Sequence, residues 1–126
     1  MSLDVYLNSP IEIEQKCICQ CCDNEYIKKE FTTYYHANIT HNLGNMAEAA
    51  GIYKALWRPE EIGIMKASEL IDILEKGYAE LKQRPEEFMK RNAPNGYGTY
   101  EGLCSFVANY LAACKEFPDA RIEVSR

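Results

Sequence analysis

Thr32-Thr33-Tyr34-Tyr35-His36-Ala37-Asn38-Ile39-Thr40-His41-Asn42-Leu43-Gly44-Asn45-Met46-Ala47 decides the fold class. Its first half is rich in β-branched and aromatic residues, the composition of a strand. After Asn42, whose side chain suits a helix N-cap, Leu43, Met46, Ala47 and Ala50 fall on one face at helical spacing. The chain therefore passes from strand to helix within this stretch, and Gly51 interrupts the helix that follows.

Upstream of it, the sequence reads as β. Leu3-Asp4-Val5-Tyr6-Leu7 alternates as a half-buried strand does, and Asn8-Ser9-Pro10 ends it. Pro10-Ile11-Glu12-Ile13-Glu14 alternates as well. A turn-like Asp23-Asn24-Glu25 then leads into a strand from Tyr26 to Ile39, so residues 11–40 predict an antiparallel hairpin with cysteines near its tip.

Downstream, the pattern is helical. Ile52 to Trp57 adds a turn before Arg58-Pro59 ends it. Ala67 to Arg84 predicts a long helix with Leu70, Ile73, Leu74, Tyr78 and Leu81 as its buried stripe. Pro85 opens a short helix reaching Lys90. Leu103, Phe106, Val107, Tyr110, Leu111 and Cys114 mark an amphipathic helix, stopped by Phe117-Pro118-Asp119. Arg121-Ile122-Glu123-Val124 is a last strand. The expected architecture is a single α+β domain spanning 1–126. A small antiparallel sheet of N-terminal strand, hairpin and C-terminal strand is covered on one face by three to four helices.

The chain has 126 residues, 47% hydrophobic and 26% charged, which excludes a disordered segment. With 14 basic and 19 acidic residues the net charge is -5, which argues against general nucleic-acid or anionic-membrane binding. No apolar run approaches the ~20 residues of a membrane span and no signal-peptide pattern opens the chain, so a cytoplasmic protein with reduced thiols is expected.

Cysteines crowd at Cys17, Cys19, Cys21 and Cys22. Cys19 and Cys22 have the C-x2-C spacing that points two thiolates at one ion, and His36 and His41 follow. In a strand, those histidines face opposite sides, so a finger fold is not expected. A structural zinc at the hairpin tip, held by Cys19 and Cys22 with Cys17, Cys21 or a histidine such as His36, stands against plain free thiols. Cys104 and Cys114 lie too far apart on one helix to bridge each other, and Cys114 continues the apolar stripe.

Three polar constellations could hold a ligand. Asn38, Thr40, His41 and Asn42 gather where strand passes into helix, beside unsatisfied backbone N–H groups. Capping alone accounts for them equally well. Asn95, Gly96, Tyr97, Gly98, Thr99 and Tyr100 form a glycine-rich loop opening the last helix, which reads either as a phosphate cradle or as a turn with an N-cap. Trp57 and Arg58 sit at a helix stop before Glu60-Glu61, where tryptophan suits a core plug and arginine an anion or those acids. Ser68 and Ser105 lack any motif of a nucleophile, and no residue is assigned a catalytic role.

The segments Ala37-Asn38-Ile39-Thr40-His41-Asn42-Leu43, Met46 to Tyr53, Leu56-Trp57-Arg58-Pro59-Glu60-Glu61, Asn95 to Glu101 and Met1 to Leu7 together carry a resemblance. Over nearly its whole length the chain resembles a family of small uncharacterised bacteriophage and prophage proteins. The segment between the first strand and Ala37 varies in that family, which implies that the cysteines are a local staple. The resemblance implies an accessory protein of the infected bacterial cytoplasm that acts by binding. The leading expectation is a non-catalytic binder of a small anionic or nucleotide-like ligand, such as a counter-defence sponge. The alternatives are an interaction module inhibiting a host or defence protein, with a zinc-stapled hairpin, and a small hydrolase. A homo-oligomer is compatible with each.

Overall fold

Alternation in the first strand fixes how the sheet lies. In β1 (Ser2–Asn8), Leu3, Val5 and Leu7 are fully buried, while Asp4 and Tyr6 face the other way. The computed structural model describes residues 2–9, 13–18, 25–30, 32–90 and 98–126, of which 13–18 and 25–30 as backbone. After β1 come β2 (Ile13–Ile18), β3 (Glu25–Glu30) and β4 (Thr33–Thr40), and β5 (Arg121–Ser125) closes the chain. The fold is α+β, with a three-stranded antiparallel sheet in the order β4-β1-β5.

The strand expected to run unbroken from Tyr26 to Ile39 is two strands. β1 ends at Asn8, so it can pair only with the later half, and β2 supplies the partner of β3. β2 and β3 form a two-stranded ladder of their own, between the arms that β1 and β4 begin. Ser9 N–H donates to Thr32 C=O at 2.6 Å where those arms leave the sheet. A bulge lies next to that point: Leu7 pairs with Tyr35 and Asn8 with Thr33, which leaves Tyr34 without a partner in register.

Among the described residues five helices follow β4: α1 (Gly44–Ala49), α2 (Tyr53–Trp57), α3 (Ala67–Gln83), α4 (Pro85–Met89) and α5 (Tyr100–Glu116). Asn42 does not cap the first of them. Thr40 Oγ1 instead accepts from Asn42 N–H, starting a 3₁₀ turn over His41–Leu43 before α1. Most of the stripes read from sequence are buried: Leu70, Leu74 and Leu81 on α3, with Ile73 and Tyr78 only half-buried, and Leu103, Phe106, Val107, Tyr110 and Leu111 on α5. They join Leu3, Val5, Leu7 and Ile39 of the sheet in one core, with Cys104 and Cys114 as free buried thiols. Among the described residues, no helix is long and apolar enough to cross a membrane.

Gly77 is required by a close approach. A Cβ there would lie 2.1 Å from Ile52 Cγ2, and Ile52 is itself buried. Gly77→Ala is expected to destabilise by about 1–3 kcal/mol through overpacking. This outweighs the ~1 kcal/mol by which alanine is the better helix former. In an Ile52→Ala background the same change should cost nothing, which paired denaturation curves would check.

Tyr110 presents the opposite case. Its ring stacks on Tyr35 and meets Phe106 edge-on, but its buried hydroxyl finds no hydrogen-bond partner among the described residues. Burial pushes this phenol far up and the neighbouring Cys114 thiol to about 12, so both stay neutral. Tyr110→Phe removes an unsatisfied donor at little loss of packing and is expected to stabilise by about 1 kcal/mol in chemical denaturation.

Candidate functional site

β4 and β5 both run antiparallel to β1, so their C-terminal ends emerge at the same end of the sheet. Ser2 pairs with Thr40 and Asp4 with Ser125, which brings His41 and Arg126 out on either side of the start of β1. α2 lies beside that end, because Ile52 and Leu56 anchor it in the core. Between these pieces is a depression of about 740 Å³, within the size range of small-molecule pockets. His41, Asn42, Asn45, Tyr53, Arg58 and Arg126 line it, with Gly44, Glu48 and Trp57.

Local chemistry holds the lining in place. Tyr53 and Trp57 are one helical turn apart on α2, and their rings stack with centroids 5.4 Å apart. Trp57 is 2% exposed, and its indole N–H donates to His41 Nδ1 at 2.8 Å. An indole nitrogen can only donate, so Nδ1 is the unprotonated nitrogen of a neutral His41 and the ring proton sits on Nε2. Sheet end and helix are thereby tied through one side-chain bond.

Pro59 stops α2 and begins a 3₁₀ turn, Pro59–Ile62, that carries Glu60 and Glu61. Arg58 Nη1 pairs with Glu61 at 3.0 Å. Hydrogen bonding to Tyr53, and then to Glu61, holds the Arg58 guanidinium even more firmly protonated than usual. Arg126 Nη1 donates to the Trp57 carbonyl at 2.8 Å and pairs with Glu60, whose carboxyl this bond holds below its ordinary range. Two guanidiniums thus stand at one mouth in fixed orientations, each anchored by a carboxylate of the same turn.

Of the residues singled out in the sequence, His41, Asn42, Trp57 and Arg58 come together here. Thr40 lies beneath them as the cap of the 3₁₀ turn. Gly98, at φ 101°, packs on Thr40 and Leu43, so the end of the glycine loop does reach the junction. Thr99, however, caps α5 by accepting from Gly102 N–H at 3.1 Å. Tyr100 is buried against Phe88 and donates to the Leu81 carbonyl at 2.6 Å, so it offers no ring to a ligand. Asn95, Gly96 and Tyr97 lie outside the described residues.

Asn38 and His36 are on the solvent face of the sheet. His36 stacks on Tyr6 with centroids 4.6 Å apart and contacts Asp4 at 3.0 Å, and Asn38 donates to Asp4 and Ser2. Cys17 falls on β2, whose side chains are not described, and Cys19, Cys21 and Cys22 lie outside the described residues. Among the described residues, no group of three or more metal-binding side chains forms.

Tyr53, Asn45, Glu48 and Arg126 were not singled out. The four-residue spacing of Tyr53 and Trp57 was a visible signal, whereas nothing in the sequence points Arg126 at Trp57. The polar face offers a direct measurement. Hydrogen bonding from Asn38, and then from His36, lowers the Asp4 carboxyl below 3.8. A depressed carboxylate contributes its stability above the unfolded pKa and loses it as pH falls through the folded one. The Asp4 carboxyl should therefore titrate below 3.8 by NMR, and Asn38→Ala should move its midpoint upward. No family model, curated protein or solved structure matches the chain.

Proposed function

We propose that the chain is a non-catalytic binder of a small anionic ligand, nucleotide-like in carrying a phosphate and a planar ring, held in the depression at the end of β4. The observation that carries this reading is the pair Arg58 and Arg126, brought to one mouth from distant parts of the chain and pre-oriented by Glu61 and Glu60. A guanidinium that is held before a ligand arrives loses less entropy on binding it, and its forked N–H groups match a phosphate or carboxylate. Tyr53 is half-buried and leaves part of its ring to the cavity, while Asn42 and Asn45 add amides able to read a ring edge.

The same lining supports binding over turnover. Among the described residues that line the depression there is no serine, threonine, cysteine or lysine, and Nδ1 of the one histidine is occupied by Trp57. The overall charge of -5 does not oppose an anion, because the field in a pocket is set by its nearest groups. In the setting that the sequence resemblance implies, such a protein sequesters a signal molecule inside the infected cell.

Calorimetry with a panel of mono- and dinucleotides tests the proposal, with the nucleotide re-weighed afterwards. Arg58→Ala and Arg126→Ala should each weaken binding by about 1–3 kcal/mol, as loss of a charge-assisted hydrogen bond does. The melting temperature should stay close to that of the parent in Arg58→Ala, whose ion pair is at the surface, and fall slightly in Arg126→Ala, which also frees the Trp57 carbonyl. His41→Ala should lower it further, because it strips a buried indole N–H of its partner. Equal affinity in all three variants would overturn the site, and a changed ligand mass would replace binding with catalysis.

A further inference from the structure

The three-stranded sheet has two edges, and they are treated differently. At β5, the Ile122 N–H donates to the Met65 carbonyl at 2.9 Å, and Lys66 bridges to Arg121, so this edge is partly occupied. That bond also fixes the backbone alternation of the whole sheet. Ile122 faces away from β1, so Arg121 and Glu123 face toward it. Across the ladder Tyr6 then faces β5, and Leu3, Val5 and Leu7 face β4. In β4, Tyr35, Ala37 and Ile39 are consequently bonded to β1, whereas His36 and Asn38 direct their N–H and C=O groups out of the sheet. Among the described residues no strand meets them there. The side chains of His36 and Asn38 are engaged with Asp4 on the solvent face, so they do not cover these groups.

We propose that this edge pairs with a second copy of the chain, β4 against β4 in antiparallel orientation, about a two-fold axis at Ala37. An unpaired edge is a template for another strand unless charge, proline or a bulge blunts it. Between Glu30 and Glu48 there is no lysine, arginine, aspartate, glutamate or proline. Two molecules of net charge -5 repel each other, and a strand without Lys, Arg, Asp or Glu adds nothing to that repulsion. The usable edge is bounded by the bulge at Tyr34, whose ring folds back onto Phe117, and by the Thr40 cap. Ala37 is the midpoint of what lies between.

That register is self-complementary. His36 of each copy stands opposite Asn38 of the other, and both are the outward-facing residues, so every free backbone group between them finds a partner. The two Ala37 residues meet as a non-hydrogen-bonded pair, where strands come closest, at about 4.5 Å between Cα atoms. The smallest side chain of the strand occupies this position. On the helix side, Tyr35 faces Ile39 of the second copy, and no charge opposes another across the axis. The two three-stranded sheets become one of six.

Sedimentation and amide exchange of the wild-type protein test this together. The expected result is a dimer that dissociates on dilution. From dilute to concentrated sample, protection of the His36 and Asn38 amides should rise at least about tenfold, while the Ala37 amide stays protected throughout. The double variant His36→Lys with Asn38→Lys, which sets ammonium groups against each other across the axis, should be a monomer with a cooperative melt. His36→Pro, which removes an outward N–H and the ring on Tyr6 and Asp4 but no N–H that bonds β1, should weaken the dimer without opening the sheet. A wild-type protein that stays monomeric up to its solubility limit overturns the proposal. So does a dimer whose His36 and Asn38 amides exchange as fast as they do in dilute solution.

Discussion

β1 has to satisfy two edges and bury one face at the same time, and most of the molecule is arranged around that demand. Its neighbours on both sides come from far along the chain, one from the returning hairpin arm and one from the C-terminus. Each must run antiparallel to it, so each ends where β1 begins. Leu3, Val5 and Leu7 turn the same face to the helices, which leaves the other face to Asp4, Tyr6 and their partners. A slip of one residue would exchange these faces and place a carboxylate in the core.

The depression follows from this geometry. Two strands that end together deliver His41 and Arg126 to one place, and α2 supplies the rest. Its placement relies on the bond from Trp57 to His41, which takes a donor out of the core and gives it a fixed acceptor. The adjoining Pro59–Ile62 turn then sets both carboxylates against both guanidiniums. The site is built from residues whose first duty is to end an element: Thr40 ends a strand, Arg58 a helix and Arg126 another strand.

Much of this was legible in the sequence, for reasons that differ by element. Period-3.6 stripes in α3 and α5 are properties of a single segment, so Leu74 and Phe106 could be placed in the core without a structure. The break between β3 and β4 was not legible, because Tyr26 to Ile39 has strand composition throughout and only the length of β1 divides it. Thr40 as the cap in place of Asn42 reflects a 3₁₀ turn inserted before α1, which composition does not announce. Asn38 and Thr40 are two apart in β4, yet one meets Asp4 on the open face and the other starts a turn. Tyr100 looked available beside a glycine-rich loop, and its bond to the Leu81 carbonyl is visible only in three dimensions. Arg126 shows the same limit from the other side, since its partners are remote in sequence.

The bond from Ser9 to Thr32 has a bearing on how such a chain can change over generations. It clamps the two points where the arms leave the sheet, so the ends of the intervening segment are held together whatever lies between them. Closing a longer or shorter insert there changes the entropy of the unfolded chain only slowly, about 0.6 kcal/mol for each doubling of length. The three-stranded sheet takes no strand from that segment, because β2 and β3 pair with each other. Mutation can therefore lengthen, trim or replace the arm almost independently of the rest. Change in length there leaves both ladders of the three-stranded sheet in place.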